Sequence, residues 1–70
     1  MRISARNQLA GIVETVNADE VMAEVVVRLR GGETIVSAIT AHSAHQLGIA
    51  PGREVTVVVK STEVMLAVGD

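Results

Sequence analysis

Two histidines, His42 and His45, are the only imidazoles in this chain of 70 residues. They stand at i, i+3 spacing in a short helical stretch, so both rings can lie on one side and share a metal ion. Two ligands do not complete a site. Structural zinc takes four ligands, catalytic zinc takes three from the protein, and there is no cysteine to add another. A nucleophile needs an activating base, and a general base needs a neighbour that tunes it. Neither accompanies the histidines, which read as surface helix residues. The chain is expected to be no enzyme and to carry no metal ligands.

Hydroxyl and basic side chains at the segment ends carry more. Ser4 and Arg6 alternate ahead of the first strand and can point to the same side. Thr40 and Ser43 occupy the N-cap and N3 positions of the short helix, whose start presents unpaired N–H groups and the positive end of a dipole. Lys60 and Ser61 sit where the fourth strand breaks. Arg offers a planar fork of donors and Lys a compact charge, a set that suits a small tetrahedral dianion. Each residue also has a plainer use: Thr40 and Ser43 as caps, Arg6 and Lys60 as solvated charges, Ser4 and Ser61 in turns. Spacing does not separate these uses.

The elements that must position these groups are short. Gln8 to Val16 reads as a strand and Asn17-Ala18-Asp19 as a turn. Met22 to Arg30 alternates, with Ala23, Val25, Val27 and Leu29 on one face. Gly31-Gly32 signals a hairpin, and Glu33 to Ile39 follows as the third strand. Thr40 to Leu47 reads as one or two helical turns, with Thr40 as N-cap and Gly48 as C′. Pro51-Gly52 is a turn, Glu54 to Lys60 a fourth strand, and Val64 to Val68 a fifth. Five strands and one helix predict an all-β, OB-like small barrel over residues 1–70 as a single domain. Val55, Val57 and Val59 oppose Val58, and Ile35 and Ile39 oppose Val36 and Ala38. The second apolar face is expected to pack against another subunit.

Composition narrows the function. Apolar residues make up 49% of the chain, yet Phe, Tyr and Trp are absent, so no ring is available on which to stack a nucleic-acid base. Eight acidic against six basic residues give a formal charge of −2, which argues against a nucleic-acid or anionic-membrane partner. An anion must therefore be held by a few focused groups. A chain this short has a marginal core, and without cysteine the remaining remedy is oligomerisation. No apolar run approaches the roughly 20 residues of a membrane span. The opening Met1-Arg2-Ile3-Ser4 lacks a signal h-region, so a cytoplasmic location is expected.

Several stretches resemble the molbindins, the stand-alone Mop proteins related to TOBE domains. They are Ser4-Ala5-Arg6-Asn7-Gln8 with Gly11, Ala23-Glu24-Val25, Gly32, Ser37-Ala38-Ile39-Thr40, Leu47-Gly48-Ile49 with Gly52, and Val59-Lys60-Ser61-Thr62-Glu63-Val64-Met65. The likeness runs through nearly the whole chain. It implies a five-stranded TOBE-like barrel whose first strand is exchanged with a partner, in dimers that assemble into a homohexamer, a trimer of dimers. It also implies molybdate or tungstate as the ligand, bound between subunits by Ser4, Arg6, Thr40, Ser43, Lys60 and Ser61, with no cofactor. The expected role is intracellular molybdenum storage and homeostasis. Two other readings remain: a regulatory TOBE-like accessory domain of a molybdate transporter ATPase or transcription factor, and an OB-type nucleic-acid binder. The Met1 start and the lack of an ATPase or DNA-reading remnant weigh against the first.

Overall fold

The alternation in the central segments produces a four-stranded antiparallel sheet with strands in the order β3-β2-β1-β4. The computed structural model describes residues 2–69. Its elements are β1 (Asn7–Ala18), β2 (Met22–Leu29), β3 (Thr34–Thr40), α1 (Ala41–Gln46), β4 (Glu54–Val59) and a single 3₁₀ turn at Ser61–Glu63. Residues on both edge strands, Ile39 of β3 and Val57 of β4, line one groove. The sheet is thus curled into a half-barrel with its seam open.

β1 is the long spine. Its first half pairs with β4, from Asn7 opposite Val59 to Ile12 opposite Glu54. Its second half pairs with β2, from Gly11 opposite Leu29 to Ala18 opposite Ala23. Between Val13 and Thr15 the β1–β2 register slips by one residue at Glu14. Such a bulge reverses which residues face inward. Gly11 and Val13 are buried before it, and Val16 packs on the core after it. Without the bulge, Thr15 would take the core position.

The core is small and wholly aliphatic. Val13, Val25 and Val27 form its centre, with Leu29, Ile39, Ile49, Val55 and Val57 packed around them. The two faces of β3 and β4 follow the expected alternation: Ile35 and Ile39 are half-buried while Val36 is exposed, and Val55, Val57 and Val59 are half-buried while Val58 is exposed.

α1 is fixed at both ends. Thr40 Oγ1 accepts from Ser43 N, and the chain leaves through Gly48 at φ +66°. The N–H of Gly48 reaches His45 O, and that of Ile49 reaches Ala44 O. This is the Schellman arrangement, in which a left-handed residue is needed and glycine supplies it at least cost.

One expectation is corrected. Val64–Val68 forms no strand: it follows the 3₁₀ turn without any strand pairing, and Met65 and Leu66 are 93% and 92% exposed. Its composition suits a strand, but a strand needs a neighbour to complete its hydrogen bonds, and the chain sets none beside it. β1 pairs on both sides within its own chain, with β2 and with β4. The connection to β2 is short, and Asp19 closes it by accepting from Val21 N and Met22 N, each at 2.8 Å. A local hairpin is the direct route for such a connection.

Candidate functional site

The opening segment is pinned before it enters the sheet. Ala5 is buried, and Gln8 Nε2 donates to its carbonyl at 3.1 Å. Ser4 and Arg6 flank this buried alanine and are both exposed, as expected for alternating residues that share the outer side. Asn7 Nδ2 donates to Val59 O at 3.2 Å, locking the start of β1 to the end of β4. Arg6 and Lys60 each lie one residue beyond the Asn7–Val59 pair, where the β1–β4 ladder ends. Ser61 then begins the 3₁₀ turn, which Glu63 N closes on Lys60 O at 2.9 Å. Four candidates, Ser4, Arg6, Lys60 and Ser61, therefore gather at one end of the sheet.

Sequence reasoning passed over Asn7 and Gln8 as site residues, though these two side chains fix where Ser4 and Arg6 stand. Their place inside the Ser4-to-Gln8 stretch was the available signal.

The electrostatics of this corner favour an anion. Among the described residues the one ion pair is Arg28–Glu14, at 3.3 Å. Arg6 and Lys60 thus stand at the same end of the sheet, and among the described residues no carboxylate pairs with either. Two like charges at close register repel unless an anion lies between them.

Thr40 and Ser43 lie elsewhere. Thr40 pairs with Met22, and Met22 adjoins the turn that follows Ala18. They sit at the far end of β1 from Arg6, roughly 35 Å along the strand at about 3.3 Å per residue. Much of the helix start is already used. Ser43 N donates to Thr40 Oγ1 at 3.0 Å, Thr40 Oγ1 donates to Ser43 Oγ at 2.8 Å, and Ala41 N donates to Val21 O. The hydroxyl proton of Ser43 and the backbone N–H of His42 remain to offer. One chain thus carries the candidate set as two separate halves.

His42 and His45 are exposed on α1, and among the described residues no three His, Cys, Asp or Glu side chains gather to hold a metal ion. A larger cleft, of about 510 Å³, opens where β2 ends and β4 begins, beside Arg28, Arg30 and Glu54. It lies apart from both halves, and Arg28 is already engaged by Glu14. No described helix is long and apolar enough to cross a membrane.

Residues 3–66 match the TOBE domain family. Molybdenum-pterin-binding protein 2 of Clostridium pasteurianum is 50% identical over 66 residues, which cover 94% of this chain and 97% of that one. The chain belongs to the TOBE-domain family of molybdenum-pterin-binding proteins. Solved structures agree with the membership. A molybdate-binding protein from Sporomusa ovata superposes with a TM-score of 0.90 at 39% identity, covering 96% of this chain and 98% of its own. The molybdate-bound form of ModG, a cytoplasmic molybdate-binding protein, superposes with a TM-score of 0.83 at 41% identity. The match to ModG covers 87% of this chain and 43% of that one. In this TOBE chain the half-barrel with its short helix is the fold of these molybdate-binding structures.

Proposed function

We propose that this chain binds molybdate or tungstate, unchanged chemically, at sites shared between subunits of an oligomer. The observation that carries the reading is that Arg6 and Lys60 both lie just past the Asn7–Val59 end of the β1–β4 ladder, with Ser4 and Ser61 near them in sequence and, among the described residues, no carboxylate paired to either. The Sporomusa ovata molybdate-binding protein, of matching length and fold, supports the choice of ligand, as does the molybdate-bound ModG that shares the fold.

Recognition works by donation. The dianion leaves water and receives charge-assisted hydrogen bonds from Arg6 and Lys60 and neutral ones from Ser4 and Ser61. Because Thr40 and Ser43 lie at the opposite end of the sheet, they join the same anion only from a second subunit. Cavity size separates molybdate from sulfate, which has the same charge and a smaller radius. Phosphate carries a proton near neutral pH, for which this cage offers only serine hydroxyls and no carboxylate as acceptor. No step calls for bond making, so the protein acts as a binder and not as an enzyme.

Sharing the ligand between subunits couples occupancy to assembly, since anything bound only by the assembled state stabilises it by mass action. A homohexamer built as a trimer of dimers in the cytoplasm, storing and buffering molybdenum, is the assembly this reading names. The deciding experiment is calorimetric titration with molybdate, repeated in excess sulfate. Tight binding that survives sulfate supports the assignment and counts sites per subunit. Absence of heat, or binding erased by sulfate, overturns it.

A further inference from the structure

The carbonyl that leads into each cation at the β1–β4 end is held by a side-chain amide. Asn7 Nδ2 donates to Val59 O at 3.2 Å, and that oxygen belongs to the peptide unit whose nitrogen is that of Lys60. Gln8 Nε2 donates to Ala5 O at 3.1 Å, in the peptide unit whose nitrogen is that of Arg6. Because a peptide unit is planar, holding its oxygen also sets the direction in which the next residue starts. Consecutive strand residues point to opposite faces, and Asn7 is accordingly half-buried while Gln8 is exposed. Two adjacent residues thus clamp both cation-bearing segments.

The β1–β4 ladder ends at Asn7 opposite Val59. Past that pair, among the described residues, no backbone hydrogen bond joins Ser4 or Arg6 to Lys60 or Ser61. Lys60 O accepts from Glu63 N at 2.9 Å, which fixes the chain after Lys60 and leaves the peptide before it to Asn7. Arg and Lys side chains are long and rich in rotamers, so their donors converge on one anion only when the backbone beneath them is placed. Both clamping groups are neutral amides and donate to carbonyls, so they set geometry without changing the charge at the site.

We propose that Asn7 and Gln8 are the positioning pair of the oxyanion site: Asn7 places Lys60, Gln8 places Arg6, and neither touches the anion. The inference rests on the oxyanion reading given above and deepens it, because it makes affinity depend on two residues outside the donor set.

The test titrates molybdate into the parent, Asn7→Leu and Gln8→Met. These variants stay neutral and close in size and lose the amide donor. Each is expected to bind roughly five- to ten-fold more weakly, the order of one hydrogen bond. The same changes in charge-deleted backgrounds separate positioning from a general loosening of the sheet. In a Lys60→Ala chain Asn7→Leu should cost less than about two-fold, and so should Gln8→Met in an Arg6→Ala chain, because the residue being placed is gone. A full loss retained in those backgrounds overturns the proposal, as does parent affinity in either single variant. Gln8 is exposed, so Gln8→Met and its Arg6→Ala background decide the proposal should Asn7→Leu fail to fold. A parent that takes up no molybdate overturns the oxyanion reading and the positioning role together. A parent that binds, beside variants that match it, overturns the positioning role alone.

Discussion

Gly11 lies so close against Val27 that a Cβ placed on it would stand 2.6 Å from Val27 Cγ1 and 2.9 Å from the carbonyl oxygen of Arg28. The first contact could be relieved by turning a side chain; the second is backbone inside the β1–β2 ladder and has little freedom. This is where β1 passes from its β4 partner to its β2 partner. Gly11→Ala is expected to force the strands apart there and to cost about 1–3 kcal/mol, the usual range for overpacking a filled core. Urea denaturation measures it, and a midpoint equal to the parent's would show that the ladder yields.

Asp19 makes the β1–β2 connection sensitive to acid. Backbone donation from Met22 and then Val21 holds its carboxyl below the ordinary 3.8. A group depressed in the folded state contributes stability above its unfolded value and loses that contribution as pH falls through the folded value. Asp19→Ala is therefore expected to melt at a lower temperature than the parent at pH 7. The gap should close once the pH is well below 3.8, which thermal melts across pH 2–7 would register. A gap that persists at the acid end would assign the effect to turn geometry alone.

Local signals account for what was legible beforehand. β2 is readable because Ala23, Val25, Val27 and Leu29 alternate without interruption, and both helix caps are readable because Thr40 and Gly48 are residue types with specific capping geometry. The Glu14 bulge gave no warning, since it arises from fitting β1 against β2 and not from any residue preference. Val64–Val68 misled for a related reason: alternation describes one strand, while a strand exists only beside a partner. The site divides in the same way. The donor types were visible at Ser4, Arg6, Lys60 and Ser61, but the register that joins those four, and the separation of Thr40 and Ser43 from them, belong to the sheet topology.

Arg6 and Lys60 are expected to carry the affinity for molybdate. Hydrogen bonds to charged groups contribute about 1.5–3 kcal/mol each, so Arg6→Ala and Lys60→Ala should each weaken binding by roughly ten- to a hundred-fold. Both side chains are exposed, so circular dichroism and the apo melting temperature should stay near the parent's. Calorimetry gives the affinities. Unchanged binding in Arg6→Ala would remove that residue from the site, and the register argument with it.

The helix start allows its capping and binding roles to be separated, because the cap uses the Ser43 backbone and the Thr40 side chain. Ser43→Ala keeps the amide that donates to Thr40 Oγ1 and removes the half-buried hydroxyl that accepts from Thr40 Oγ1. Its stability should stay within about 0.5 kcal/mol of the parent, as for most surface changes. If Ser43 of one subunit completes the anion site of another, its affinity for molybdate should fall roughly ten-fold, near the strength of one hydrogen bond to a charged group. Thr40→Ala removes the cap acceptor itself and should cost about 1 kcal/mol whatever the ligand does. Paired melts and titrations of the two variants give the answer. A Ser43→Ala chain that binds as tightly as the parent would confine Thr40 and Ser43 to capping, leaving the anion to the Arg6–Lys60 corner alone.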